Sequence, residues 1–434
     1  MNAMLSIILF VAAYIFIASE KINKTIVALM AAGIAVMAKL VPFHAAVEAI
    51  DLNVVFLLVG MMVSVHILSK TGFFEWAAIS IARKTRGEPL AIMMLLLCLT
   101  AVLSAFLDNV TTIILVVPVT ILIAQLLEIE PQPFIILEVL ASNIGGTATL
   151  IGDPPNIVIG SSADLSFNDF LFNLGPGIAM IFIVFLGVVW FTNRKNMDVP
   201  QRLKDRFNDA QPELAIVDRV SMVKSLSVFA VMFIGFFIHG FLGVEPGIIA
   251  LFMSMIMMLV CGSDGDEMLA KAEWGVIFFF VGMFMLVAAL EYNGVIEHIG
   301  HGMLGVVKGN LGAACIVILW GSAICSAILD NIPFVIAMVP LIQGLVLSLA
   351  AQQGVTDQAI IHHDIAQPLW WSLALGACLG GNGTLVGASA NVVMAGLSEK
   401  NKCPVSFAMF FKYSFWFTML TLLLSTVYVV VRYL

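Results

Sequence analysis

The sequence predicts an all-α polytopic membrane protein made of two inverted-topology repeats, each carrying a re-entrant hairpin and a broken transmembrane helix. Three observations carry that prediction: pervasive hydrophobicity, an internal repeat at constant offset, and opposite charge bias in equivalent loops. Hydrophobic residues make up 61% of the 434-residue chain and charged residues 11%, against about 45–50% and about 25% in soluble domains. Apolar runs of roughly 17–25 residues recur from end to end, the length that crosses about 30 Å of hydrocarbon. The first run, from Met4 to Ala18, lacks a basic leader region and reads as a retained helix rather than a cleaved signal.

The repeat is read from matched residues. Gly60-Met61 recurs as Gly282-Met283, Ser104-Ala105 as Ser326-Ala327, Leu107-Asp108-Asn109 as Leu329-Asp330-Asn331, and Pro118 as Pro340, all 222 residues apart. The register then shifts to 235: Gly145-Gly146 matches Gly380-Gly381, Thr149-Leu150 matches Thr384-Leu385, Gly152 matches Gly387 and Asn156 matches Asn391. The 13-residue difference is assigned to a polar loop around Gln352 to Gln367, where insertion is cheap. Residues 1–192 then form the first repeat, 193–221 a cytoplasmic linker and 222–434 the second repeat. The linker region, Thr192 to Ser225, is too short and too charged for a core of its own.

Each half reads as three spans, a short interfacial helix, a hairpin that enters and leaves on one side, a broken span and a final span. The loop from Lys70 to Glu88 carries Lys70, Arg83, Lys84 and Arg86, whereas its counterpart Tyr292 to Asn310 carries only Lys308. Conversely, Ser161 to Asn168 has no basic residue, while Ser398 to Pro404 has Lys400 and Lys402. The linker adds Arg194, Lys195, Arg202, Lys204, Arg206, Arg219 and Lys224. Cytoplasmic loops carry the excess of Lys and Arg, so the linker and both rich loops lie inside and both termini outside. Equivalent loops on opposite sides mean an inverted repeat.

Intramembrane polar residues are functional candidates because each costs several kcal/mol there. Asp108-Asn109 and Asp330-Asn331 each join two apolar arms, which suits a hairpin tip in mid-membrane; such backbone must be buried or face a wet cavity. The second matched pair is Asn143 to Asn156, with Gly152-Asp153-Pro154-Pro155, and Gly380 to Asn391. Glycines and prolines there interrupt a span and free backbone groups as ligands, the pattern that marks transporter binding sites. The bland alternative, that small residues only allow close helix packing, leaves the accompanying carboxylate, amide and hydroxyl groups unexplained.

The expected substrate-contacting residues are Ser104, Asp108, Asn109, Asn143, Thr147, Thr149, Asn156, Ser326, Asp330, Asn331, Asn382, Thr384, Ser389 and Asn391, with Gly152 and Gly387 as backbone ligands. Asp108, Asp153 and Asp330 are the expected proton or cation carriers. Half two replaces Asp153-Pro154-Pro155 by Ala388-Ser389-Ala390, so Asp153 has no counterpart and is the favoured coupling carboxylate. Glu138 is equally well a buried hydrogen-bonded carboxyl or a proton relay. His66 and His239 near span ends, and Glu291 and His298 in an exterior loop, read as interfacial or solvated groups. The Met-rich runs read as apolar filling, and the six cysteines form neither a disulfide framework nor a metal spacing. The sequence contains no phosphate-binding loop, nucleophile elbow or H-E-x-x-H, so ATP-driven pumping and proteolysis are unsupported.

The tips Ser104-x-x-x-Asp108-Asn109 and Ser326-x-x-x-Asp330-Asn331, with Gly152-Asp153-Pro154-Pro155-Asn156, resemble the ion transporter superfamily. Within it they look most like the branch of arsenite permeases (ArsB), NhaD-type sodium/proton antiporters and the P protein. That resemblance implies a multi-pass protein of the bacterial inner membrane, with a scaffold and a mobile transport part working as an elevator. Proton-coupled efflux of arsenite or antimonite is the first expectation, sodium/proton antiport the second, and a sodium-coupled dicarboxylate or other anion carrier the third. The sodium/dicarboxylate branch carries Ser-Asn-Thr at its tips; aspartates there repel a dianion unless protonated or sodium-bound. H+ or Na+ is the only expected coupling species, with no metal cofactor and no nucleic-acid partner. Membrane lipid surrounds the chain, and a homodimer or a soluble ATPase partner is compatible with the resemblance.

Overall fold

The structure is a computed structural model describing residues 2–18, 21–194, 197–208, 210–295 and 309–434; Lys195, His298 and Lys308 lie outside these. Among the described residues every regular element is helical, and nine helices are long and apolar enough to cross a membrane, with three shorter apolar helices beside them. Half one runs through Asn2–Ala18, Lys24–Met37 and Leu52–Ser69, a short helix Phe73–Lys84, the hairpin Pro89–Phe106 and Asn109–Leu126, the broken helix Gln132–Gly146 and Pro154–Ala163, and a final span Gly175–Asn193. Half two repeats the spans, hairpin and broken helix with Arg219–Leu242, Pro246–Cys261, Trp274–Tyr292, the hairpin Leu311–Ile328 and Asn331–Gln353, the broken helix Gln367–Gly380 and Ser389–Lys400, and Phe407–Tyr433; the expected counterpart of the short helix lies outside the described residues. Both hairpins start, turn and restart 222 residues apart, and both broken helices start and restart 235 apart.

One element differs from the expectation. The insertion is largely wound up: the outgoing arm of hairpin two continues to Gln353, and a π-helical turn, Ile361–Ala366, leads directly into Gln367. The residues after Gly344, rich in Leu, Ala and Gln, are good helix formers, and the helix stops only at Gly354 with φ 68°.

The halves interleave. Leu52–Ser69 packs on Pro246–Cys261 and Trp274–Tyr292 on Lys24–Met37. Small residues allow this approach: Gly60 lies against the Ala250 backbone, and a Cβ at Gly282 would come within 2.8 Å of the Ala28 carbonyl carbon. These pairs form a scaffold. The hairpins and broken helices form a second unit, in which each outgoing hairpin arm packs on the other half's second broken arm. Gly145 lies against the Ala101 backbone and Gly380 against Ala323, so these two glycines serve close packing inside that unit. Gly282→Leu is expected to separate two scaffold helices, seen as loss of the monodisperse peak in detergent chromatography, with Gly33→Leu, which faces open space, as the tolerated control.

The linker is more than a tether. Val199, Leu203 and Phe207 are buried with Ala78, Ala82, Ile92, Leu96 and Leu127 in a satellite cluster. Lys204 pairs with Glu88 at 3.0 Å, and Arg206 reaches Glu128 at 3.1 Å and the Leu126 carbonyl at 2.7 Å. A charged segment thus buries three apolar side chains once hairpin one offers a complementary face.

Candidate substrate and coupling site

Each hairpin turns through two extended residues, Leu107-Asp108 and Leu329-Asp330, before the next helix begins. A helix that starts inside the protein leaves its first N–H groups without partners, and each tip aspartate caps them. Asp108 accepts from Thr111 N at 2.9 Å and from the Thr111 hydroxyl; Asp330 accepts from Ile332 N at 3.1 Å. Capping alone would suit Ser or Asn equally well, so it does not account for the charge.

The broken helices free carbonyls that the chain satisfies itself. The Asn156 amide donates to the carbonyls of Thr149, Thr147 and Gly146 at 2.9, 3.2 and 3.5 Å. Asn391 does the same for Thr384 and Gly381 at 2.8 and 2.9 Å. The Thr149 and Thr384 hydroxyls donate to the carbonyls of Ala105 and Ala327, fastening each break to its hairpin. Ser142 donates to Ser104 at 3.0 Å, Ser326 to the Ala377 carbonyl at 2.6 Å and Thr147 to the Asn143 carbonyl at 2.7 Å. Gly152 and Gly387 lie against the carbonyls of Ser104 and Ser326, where a side chain would collide.

At the centre, where both tips meet the first break, sits Asp153, wholly buried. Its carboxylate accepts from the Asn109 amide at 3.2 Å and, through both oxygens, from Asn331 at 3.3 Å. Asn109 also donates to Asn143 at 3.1 Å, and Asn143 to Asn382 and Asn391 at 2.8 and 3.0 Å. One residue from each tip and two from each break are thus joined in a buried amide network that ends on a carboxylate. The carboxylate, with the Cys378 thiol as a further side-chain partner, is satisfied as a hydrogen-bond acceptor, while among the described residues no cation stands beside its charge.

Beside this network a cavity of about 380 Å³ separates the scaffold from the tips. Asp108, Asp330, Pro154 and Ser389 line it from the tip side, and Tyr14, Lys24, Met62 and Glu273 from the scaffold. It lies on the linker side: Thr25 bonds the Gly275 carbonyl, and Lys70, near the linker's docking point at Thr71, pairs with Glu267. A second cavity of about 430 Å³ lies at the opposite ends of the equivalent helices, lined by Asp51, Asp164, His239 and Glu245, and reaches neither tip aspartate.

Of the residues expected to contact substrate, Asp108, Asp330 and Ser389 line the first cavity, and Asn109, Asn331 and Asn143 form the network behind it with Asp153, the expected coupling residue. Ser104, Thr147, Thr149, Asn156, Ser326, Thr384 and Asn391 hold the breaks and tips in shape, and Asn382 links Asn143 to the Leu140 carbonyl at 3.4 Å. Glu138 lies apart, buried and accepting from Thr120 at 2.6 Å. His239 accepts from Phe167 N at 3.4 Å, and Glu291 is exposed. Sequence reasoning missed Lys24 and Glu273. Glu273 was within reach, because it stands 222 residues after Asp51 and each acid precedes the third span of its half. Lys24 gave no such signal, since its repeat partner is Pro246.

Comparison with known proteins adds three findings. Residues 14–376 match the family profile described as "Citrate transporter" (CitMHS). The chain is 40% identical over 435 residues to an uncharacterized transporter of Mycobacterium tuberculosis, covering 99% of both, and 31% identical to the human P protein, covering 93% of this chain and 56% of that protein. The fold is similar to that of the Alcanivorax borkumensis YdaH transporter, with a TM-score of 0.61 at 12% identity over 99% of this chain and 98% of the other.

Proposed function

Because this chain belongs to the citrate transporter family, and is a multi-pass secondary transporter of the bacterial inner membrane rather than an enzyme, we propose that it couples proton movement to export of a small cargo without net negative charge. The observation that carries this reading is Asp153, a buried carboxylate held by one asparagine from each tip with no cation beside it among the described residues. Such a group can gain and lose a proton as the cavity changes sides. The hairpins and broken helices would move as one unit against the scaffold, in the manner of an elevator.

The cavity's charge selects the cargo. Among the described residues its lining contains three carboxylates, Asp108, Glu273 and Asp330, and one ammonium, Lys24. A fully ionised citrate or dicarboxylate meets repulsion there unless it enters protonated or cation-bound. Arsenous or antimonous acid, a neutral trihydroxide, can donate its hydroxyls to Asp108 and Glu273, and this is our first choice. Na+ is the second, favoured by the same two carboxylates as hard oxygen ligands.

Purified protein in proteoliposomes, offered arsenite, Na+ and succinate separately with and without a pH gradient, tests the choice. The expected result is gradient-driven arsenite flux that needs no Na+. Sodium-dependent proton release without arsenite flux would transfer the assignment to antiport, and succinate flux alone would refute both readings. Glu273→Gln should weaken apparent cargo affinity several-fold while leaving the flux dependent on the pH gradient, because it borders the cavity without touching the Asp153 network.

A further inference from the structure

The second tip already holds a cation. Lys24 Nζ lies 2.5 Å from Asp330 Oδ2 and 3.0 Å from Ser389 Oγ, and Ser389 donates to the same carboxylate oxygen at 2.7 Å. The three groups come from three elements: the first turn of a scaffold helix, a hairpin tip, and the start of a broken-helix arm. The pair is only partly solvated, with Lys24 29% and Asp330 15% exposed. Glu273 and Asp108 face it across the cavity, Tyr14 stands beside it with its hydroxyl on the Pro333 carbonyl, and Asp153 lies behind Asn331.

The first tip has no equivalent. The residue 222 positions after Lys24 is Pro246, and the residue 235 positions before Ser389 is Pro154. Neither side chain carries a polar atom. Asp108 is held by Thr111 instead, and the matching end of the scaffold presents Glu245. In an inverted repeat, the mirror-related state brings the first tip to that end of the scaffold. There it meets an acid and a proline where the present state offers an ammonium.

We propose that Lys24 is a one-sided latch, a scaffold ammonium resident in the second tip's cation position, which holds the empty transporter with its cavity toward the linker. Departure of the tips from that side requires the Lys24–Asp330 pair to open, with a proton or an alkali cation replacing the ammonium on Asp330. The inference rests on the alternating-access reading above, but not on the identity of the cargo. It assigns the two tip aspartates different duties: Asp108 stays open to cargo, and Asp330 sets the resting state. Breaking one partner of a shielded ion pair leaves the other uncompensated, so the bias should be lost when either is neutralised.

The test reads accessibility without cargo or gradient. Reporter cysteines at Val276, in the linker-side cavity, and Ser161, in the opposite cavity, are labelled with a membrane-impermeant maleimide in oriented vesicles, with the unsubstituted protein as background. Lys24→Met keeps the aliphatic stem and should raise labelling at position 161 several-fold while lowering it at 276. Lys24→Arg should keep the parent pattern. Asp330→Asn should reproduce the methionine variant and stands in for it should that variant fail to fold, and Lys24→Asp combined with Asp330→Lys should restore the parent pattern. Unchanged labelling at both positions in Lys24→Met, or in Asp330→Asn, would overturn the latch. That outcome leaves the flux assay untouched, whereas loss of proton-driven flux with an intact labelling shift would refute only the coupling assignment.

Discussion

Asp153→Asn should abolish pH-gradient-driven flux, lowering it to the level of protein-free vesicles, while cargo binding to the detergent-solubilised protein survives. Asparagine matches aspartate in size and can still accept from Asn109 or Asn331 through its carbonyl oxygen, so the junction of tips and break keeps its shape. What it loses is the capacity to carry charge. The parent carboxylate is wholly buried, with two amide donors, the Cys378 thiol and, among the described residues, no cation beside it, and a charge so placed is costly enough to make its occupancy by a proton sensitive to which side the cavity faces. The amide has no second protonation state at any working pH, so cargo can be bound but not driven. Paired measurement of equilibrium binding and of uptake under an imposed gradient checks this. A variant that accumulates cargo with the parent's pH dependence would remove Asp153 from the coupling role and pass it to Asp108 or Glu138.

The second large effect is expected at Asn143, which lies behind the first cavity without lining it. Its amide bridges the halves, accepting from Asn109 at 3.1 Å and donating to Asn382 and Asn391 at 2.8 and 3.0 Å, with no exposed surface. Asn143→Leu fills the same space but strands polar atoms on three neighbours, each at a cost of about 1–3 kcal/mol when a buried group is left unpaired. Asn109 keeps its bond to Asp153, and Asn382 and Asn391 keep their carbonyl acceptors, so the sum falls below three full penalties. A loss of roughly 2–5 kcal/mol on that basis should lower the thermal unfolding midpoint in detergent and remove transport altogether. Asn143→Ser, which retains one donor and one acceptor, should recover part of the stability. Parent-like unfolding of Asn143→Leu would mean that water fills the junction, and that the amide network is not what joins the two halves.

These two residues divide what could be read in advance from what could not. The repeat at 222 and 235 located both hairpins and both breaks, because a duplicated unit leaves its polar interruptions at fixed intervals in covalent order. Helix boundaries at Pro89 and Leu311, at Asn109 and Asn331, and at Gln132 and Gln367 keep those intervals. The same periodicity could not say which polar groups face a cavity and which bind the chain to itself. Thr149, Asn156, Thr384 and Asn391 carry the composition of a ligand set, yet Asn156 and Asn391 donate to carbonyls freed by the breaks, and Thr149 and Thr384 to carbonyls of the hairpin arms. The insertion near Gln352 read as a loop because polarity suggests solvent, whereas local helix propensity continued the arm to Gln353. Lys24 is the clearest case. Sequence alone determined the membrane fold, the duplication and the unpaired Asp153, all properties of pattern along the chain. Only the tertiary structure decided that Lys24 meets Asp330, 306 residues away, because that contact depends on how a scaffold helix, a hairpin tip and a broken-helix arm converge in space, and no repeat, spacing or propensity encodes it.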